Sequence, residues 1–255
     1  MSLSRFQLNG DIALVTGSSR GIGLAMARGI AEAGGEVVIN ARNPADVDRA
    51  VAELKKGGLK AHAAPFDVTD RKAVDAAVAR IEAEIGPISI LCNNAGIQRR
   101  TPFVDFPEET WRELMSINLD SVFFVSQIVA RRMIPRGRGK IINTCSVGSL
   151  LARPTIAPYN ASKAAVAMLT KQMCAEWAKH GIQANGIAPG YFATELNQAL
   201  VNDPVFSDWV TKRTPANRWG ELDELVGVTI LLASPASSFI NGQVFYVDGG
   251  LTSVI

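Results

Sequence analysis

Thr16-Gly17-Ser18-Ser19-Arg20-Gly21-Ile22-Gly23 follows directly on the apolar run Ile12-Ala13-Leu14-Val15 and precedes a segment with apolar residues three and four apart. The pattern predicts a buried strand, a tight glycine turn and then a helix, the opening of a βαβ unit. At such a junction the first backbone N–H groups of the helix have no partner within the helix and face the space above the strand. Glycines permit the sharp turn, let the backbone approach an anion closely and let the helix pack against the strand. Gly17, Ser19, Arg20, Gly21, Ile22 and Gly23 are therefore expected to cradle a pyrophosphate. The spacing is Gly-x-x-x-Gly-x-Gly rather than the commoner Gly-x-Gly-x-x-Gly fingerprint.

The same rhythm repeats outward from this turn. Apolar runs at Ile12–Thr16, Glu36–Asn40, Lys60–Phe66, Ile88–Cys92, Lys140–Cys145, Ile182–Ile187 and Val244–Val247 predict seven strands. They show little in/out alternation, the pattern of strands buried on both faces of a parallel sheet. Between them, Gly21–Ala33, Ala45–Lys56, Arg71–Ile85, Glu108–Met133, Ala157–Lys179 and Leu222–Ala233 carry a helical period. The expected fold class is α/β: a doubly wound, seven-stranded parallel sheet with helices on both faces, forming one domain over residues 1–255. Residues 190–221 break the rhythm, with Pro204 and Pro215 and little periodicity. Ligands of open α/β sheets bind beyond the carboxyl ends of the strands, so this insertion is the expected substrate lid.

Composition narrows the partners. The 255 residues are 47% hydrophobic and 20% charged, a balance that suits a folded core. A formal charge of +2 creates no field for nucleic acid or an anionic membrane, and no apolar run approaches the roughly 18 residues of a membrane span. Cys92, Cys145 and Cys174 are far apart and are expected to be reduced, buried thiols in a cytoplasmic protein. Two histidines without metal-ligand spacing predict no metal site, so a small molecule is the expected partner. The basic group Arg131, Arg132, Arg136, Arg138 and Lys140 reads as a solvated helix end rather than a docking patch.

The glycine spacing resembles that of the short-chain dehydrogenase/reductase family, and further motifs agree along nearly the whole chain. They are Asp67-Val68, Asn93-Asn94-Ala95-Gly96, Asn118, Ser146, Tyr159-x-x-x-Lys163 and Pro189-Gly190 with Phe192 and Thr194. The resemblance implies a single extended Rossmann domain, commonly in a homotetramer. It also implies that Asp67 and Val68 lie near an adenine, that Asn94, Ala95 and Gly96 line the cofactor pocket, and that Pro189, Gly190, Phe192 and Thr194 lie on the nicotinamide side. Asn118, Ser146, Tyr159 and Lys163 would be the catalytic set. In the family, the counterpart of Asn118 kinks its helix and holds a water leading to the lysine, which also holds the nicotinamide ribose.

Charge at the end of the second strand selects the dinucleotide, because readers of NAD place a carboxylate there for the ribose 2′-hydroxyl. From Val37 to Asn43 there is no Asp or Glu, whereas Arg42 and Arg20 are well placed for a 2′-phosphate. Charge-assisted hydrogen bonds contribute roughly 1.5 to 3 kcal/mol each, so NADP is the expected cofactor.

Tyr159 and Lys163, four apart at a helix start, share a face. Lowering a tyrosine pKa from near 10 to about 7 takes roughly 4 kcal/mol. An ammonium about 4 Å away at an effective dielectric of about 20 supplies that much, and an oxidised nicotinamide would add to it. The expectation is that Tyr159 moves the proton while Ser146 holds the reacting oxygen. A non-enzymatic nicotinamide sensor has no need of this set.

Three longer strings, Asn94–Arg100, Ala188–Phe192 and Lys212–Gly220, resemble the gluconate 5-dehydrogenase group within the family. That resemblance implies D-gluconate and 5-keto-D-gluconate as substrates, with Arg100 reading the carboxylate. Gly148 and Leu150 depart from the pattern, since that group usually carries Gln and Glu there. A 3-oxoacyl carrier-protein reductase, or a dehydrogenase of another sugar acid or ketone, remains the alternative.

Overall fold

The computed structural model describes residues 3–255; the first two residues of the expected domain lie outside the described residues. Seven strands form one parallel sheet: β1 (Ile12–Val15), β2 (Glu36–Ile39), β3 (Ala61–Ala63), β4 (Ile88–Asn93), β5 (Gly139–Thr144), β6 (Ile182–Pro189) and β7 (Val244–Val247). Their order is β3-β2-β1-β4-β5-β6-β7, so the chain winds outward in both directions from β1 and β4. Such a reversal opens a crevice at the carboxyl ends of the strands.

Successive side chains of a strand point to opposite faces, and both faces are apolar. Leu14, Val38 and Leu91 pack into one core with Val74, Val78 and Ile81 of α3 (Arg71–Glu84). Val125 and Val129 of α5 (Ser121–Arg136) and Val166 of α6 (Ala157–Trp177) complete it. Ala13, Val15, Val37 and Ile39 pack into the other with Met26 and Ile30 of α1 (Gly21–Glu32) and Val47 and Leu54 of α2 (Pro44–Lys56). Leu232 of α9 (Val226–Ala233) closes that side. Each fully buried aliphatic side chain contributes roughly 1.5 to 3 kcal/mol, so the two cores dominate the stability.

Local departures from the expected elements have identifiable causes. β3 spans only Ala61–Ala63, because Pro65 has no N–H to continue the ladder, although Ala64 and Phe66 still donate to Ile39 and Ala41. β7, at the sheet edge, is only half-buried rather than covered on both faces. The single helix expected over Glu108–Met133 is three elements: α4 (Glu108–Met115), a π-helical turn at Ser116–Asp120, and α5. This 29-residue run, Glu108–Arg136, is long and apolar enough to cross a membrane, yet half of its most apolar window is buried in the fold.

The insertion after β6 is more regular than its sequence suggests. It contains a 3₁₀ turn at Glu195–Asn197, α7 (Gln198–Val201) and α8 (Pro204–Arg213). Pro204 opens α8 rather than breaking it, and the Asp203 carboxylate caps the helix by accepting from Val205 (3.0 Å) and Phe206 (3.2 Å).

The basic group has local partners: Arg132 pairs with Asp75 at 3.3 Å, Arg136 with Glu82 at 3.0 Å, and Arg138 with Asp11. All three cysteines are free, but Cys174 is only part-buried. Burial pushes the Cys92 thiol up to about 12 and that of Cys145 to about 11, so neither is a thiolate near neutrality.

Candidate active site

Above the carboxyl ends of β1, β4 and β5 lies a cleft of about 840 Å³. Every site residue expected from the sequence lines it except Asn118.

At one end the glycine turn is fixed by backbone geometry. Gly17 has φ +61°, and a Cβ there would lie 2.7 Å from the Cα of Ala95. A Cβ on Gly23 would lie 2.4 Å from Asn94 Nδ2 and 2.5 Å from the Gly17 carbonyl oxygen. The Asn94 amide donates to the carbonyls of Thr16 (3.1 Å) and Gly17 (2.9 Å), so this residue braces the turn as well as lining the cleft.

Thr16, Ser18 and Asn40 escaped the motif reading. Thr16 Oγ1 accepts from the N–H groups of Asn94 (3.0 Å) and Ala95 (3.1 Å), tying the end of β1 to that of β4. Buried Ser18 donates to the Val15 carbonyl (2.6 Å) and accepts from the Asn40 N–H (3.0 Å). Asn40 in turn donates to the carbonyls of Ala64 and Phe66, both at 3.1 Å. Thr16 and Asn40 were signalled in the sequence as polar residues that end an apolar strand run, and Ser18 by its place inside the glycine turn.

Arg20 and Arg42 are exposed at the rim of this end, and among the described residues neither forms an ion pair with an acid. Asp67 closes its own turn, accepting from Thr69 N (2.9 Å) and Thr69 Oγ1 (2.7 Å).

Toward the middle of the cleft, Ser146 follows β5 and opens a 3₁₀ turn at Val147–Ser149. Its Oγ accepts from the Gly148 N–H at 3.0 Å, which leaves its own O–H to be donated. Ser149 Oγ accepts from the Ser146 N–H (3.2 Å) and donates to the Lys163 carbonyl (2.9 Å), tying that turn to α6. Tyr159 and Lys163 share the first turns of α6, with Lys163 Nζ 5.8 Å from the centre of the Tyr159 ring.

The electrostatics of this pair differ from the sequence-based expectation. Lys163 is 4% exposed and donates to the Thr144 carbonyl at 2.6 Å; burial pushes its ammonium down to about 8. Burial likewise pushes the Tyr159 phenol up, the Ser146 hydroxyl pulls it back, and Cys145 and Tyr191 push it further up. Desolvation opposes charge on both groups, so the lysine alone does not bring the phenol to neutrality.

Asn118 lies behind the wall, fully buried in the π-helical turn. Its Oδ1 accepts from the Ile97 N–H (2.8 Å), and its Nδ2 donates to the Ile97 carbonyl (2.9 Å). It thereby grips the segment after β4, with Gly96 between it and Lys163: a Cβ on Gly96 would lie 3.4 Å from Asn118 Oδ1 and 3.7 Å from Lys163 Nζ.

At the far end, Arg100, Arg153, Tyr191 and Trp209 line the cleft. Arg153 was not singled out in the sequence, where no motif surrounds it. At Gly148 the space a side chain would enter is taken by the Asn160 amide, whose Oδ1 lies 2.2 Å from where a Cβ would stand. Leu150 is 62% exposed and is not part of the cleft wall.

The sequence model of the family described as enoyl-(acyl carrier protein) reductase, a short-chain dehydrogenase family, matches residues 17–252. The chain belongs to the short-chain dehydrogenase/reductase family. Within that family it is 60% identical over 247 residues to gluconate 5-dehydrogenase of Gluconobacter oxydans, covering 97% of this chain and 96% of that protein. It is 52% identical to 5-keto-D-gluconate 5-reductase of Escherichia coli, covering 96% and 97% of the two. A solved gluconate 5-dehydrogenase from Burkholderia cenocepacia, in complex with NADP and tartrate, matches with a TM-score of 0.97 at 60% identity and full coverage of both chains.

Proposed function

We propose that the protein interconverts D-gluconate and 5-keto-D-gluconate with NADP as its dinucleotide. The observation that carries this reading is one cleft holding cations without acidic partners at both ends and the Ser146, Tyr159 and Lys163 set between them. Relatives of about this length that share 60% and 52% identity with it are named for these reactions.

The residues present fit the dinucleotide. The glycine turn offers backbone that a Cβ at Gly17 or Gly23 would obstruct, and Arg20 and Arg42 supply cations for a 2′-phosphate. Asp67 and Val68 would flank the adenine, Asn94, Ala95 and Gly96 the middle of the cofactor, and Pro189, Gly190, Phe192 and Thr194 the nicotinamide. When bound, the dinucleotide supplies the hydride donor for reduction and the acceptor for oxidation.

The chain's own residues handle the oxygen and its proton. Ser146 donates its O–H to the reacting oxygen and holds it against Tyr159. Tyr159 gives its proton to that oxygen in reduction and takes one back in oxidation. The phenol stands above its ordinary value near 10 and is therefore protonated near neutrality, the form that ketone reduction needs. Lys163 would hold the nicotinamide ribose, Asn118 acts through Ile97 and Gly96 to fix that wall, and Arg100 reads the carboxylate.

Residues 190–221 form the substrate lid of a single domain spanning 1–255, with Thr194, Trp209 and Arg213 on the cleft wall. A cytoplasmic homotetramer completes the reading. The alternative, a 3-oxoacyl carrier-protein reductase, matches the wording of the family description, but two arginines at the substrate end suit a sugar acid better. Turnover of sugar acids and of acyl thioesters, followed by NADPH absorbance, separates the two. Thioester turnover without 5-keto-D-gluconate turnover rejects the substrate and leaves the reacting centre standing.

A further inference from the structure

Arg153 takes no part in the proposed hydride and proton transfer. It sits between Ser146 and α6, on the wall of the same cleft as Arg100. Its guanidinium lies over the Phe206 ring of α8, 4.5 Å from the centroid, and reaches the Tyr191 hydroxyl at 3.5 Å. Tyr191 in turn meets Phe206, Trp209 and Trp219 edge-on at 5.7 to 5.8 Å. The arginine therefore joins the cleft to the aromatic cluster of the insertion.

Arg153 and Arg100 are also electrostatic neighbours. Burial holds the Arg100 guanidinium below its ordinary value, and the positive charge of Arg153 lowers it further. Among the described residues no carboxylate lies within ion-pair distance of either, and Arg100 has only Gln98 Oε1 at 3.4 Å. Two like charges facing one cleft disfavour each other unless an anion enters to screen them. A planar guanidinium held over a ring is, moreover, restricted in the directions from which a carboxylate can meet it.

We propose that Arg153 is a second carboxylate-binding residue beside Arg100, and that its contact with the Phe206 ring transmits substrate binding to the aromatic cluster of the lid. This rests on the sugar-acid reading of the site. A ketone without a carboxylate would gain from neither arginine and would leave the lid unengaged, so the pair acts on specificity as well as affinity.

The test uses NADP-loaded enzyme and tartrate, a hydroxy dicarboxylate that is not itself the proposed substrate. Tartrate affinity is measured by calorimetry, and the lid by tryptophan fluorescence, since Trp209 and Trp219 lie in the cluster. Arg153→Met should weaken tartrate binding and raise KM for 5-keto-D-gluconate at least tenfold, abolish the fluorescence response, and leave NADP affinity unchanged. Arg153→Lys, which keeps the charge but not the plane, should recover part of the affinity and little of the response. Tartrate affinity within twofold of wild type in Arg153→Met, with the fluorescence response intact, overturns the proposal. If Arg153→Met no longer binds NADP and so has lost its fold, Arg153→Lys decides: wild-type values in both measurements overturn it. A wild type that binds tartrate but does not turn over 5-keto-D-gluconate overturns the substrate reading separately, and the tartrate measurements still judge Arg153.

Discussion

The two ends of the cleft are built on different principles. At the dinucleotide end the polar atoms of Thr16, Ser18, Asn40 and Asn94 bond to main-chain groups of neighbouring strands and turns. At the substrate end the cations stand on the segment after β4 and the loop after β5, and the rings that support them come from the segment after β6 and from α8. A site made of backbone is indifferent to what the rest of the chain does, and so suits a cofactor shared by a whole family. A site made of side chains from several segments can be altered one residue at a time, as specificity requires.

Breaking the junction between the ends gives the largest effect. Tyr159→Phe should lower kcat by about a hundredfold or more, the usual contribution of general acid–base catalysis, while NADPH affinity stays near wild type. Turnover within about tenfold of wild type would remove Tyr159 from proton transfer.

Next comes a break confined to the substrate end. If Arg100 pairs with a carboxylate in a partly dry pocket, Arg100→Ala should lose about 2 to 5 kcal/mol of transition-state binding, roughly thirtyfold to several thousandfold in kcat/KM. A neutral ketose should lose far less, because it never used the cation. Equal losses on both substrates would point to a general distortion, and the two ends of the cleft would no longer be separable.

Lys163 tests the cost of the chemistry between them. Its ammonium releases a proton near pH 8 in the folded protein, against an ordinary value of 10.5. Unfolding therefore takes up a proton between those values, and the wild type should gain stability relative to Lys163→Met as the pH rises from about 8 toward 10.5. Below pH 8 the wild type carries the full cost of the buried charge, on the order of 3 kcal/mol. Denaturant unfolding of both proteins at pH 7.5 and pH 10 checks this; parallel stabilities would mean that the lysine is not desolvated.

The contrast between the ends also explains what was legible in the sequence. The glycine turn, the seven strand runs and Tyr159 with Lys163 depend on neighbours within a few residues, so periodicity and spacing revealed them. Arg153 meets Phe206 across more than fifty positions and Tyr191 across 38, contacts that no local pattern encodes. The regularity of α8 was obscured because Pro204 reads as a breaker until Asp203 is recognised as its cap. The rise in the Tyr159 pKa was missed for a related reason: the attraction of a lysine can be read from spacing, but the burial of both groups cannot.

The smallest predicted effect is confined to the dinucleotide end. Arg42 follows β2 where a reader of NAD would carry a carboxylate, and it is exposed at the rim with no acidic partner among the described residues. Arg42→Asp removes one cation from the 2′-phosphate and sets a like charge against it, and the new carboxylate can accept from a free ribose 2′-hydroxyl. The ratio of NADP to NAD affinity should fall by about tenfold or more, since one charge-assisted hydrogen bond contributes roughly 1.5 to 3 kcal/mol. Exposure to solvent and the second cation, Arg20, keep the change near the lower end of that range. Dissociation constants for both dinucleotides, measured at two salt concentrations, provide the check. The NADP preference should narrow in the wild type as salt rises and change little in Arg42→Asp. Equal affinities of the wild type for NAD and NADP would remove the electrostatic reading of this end, while the backbone cradle at Gly17, Gly21 and Gly23 would still account for the pyrophosphate they share.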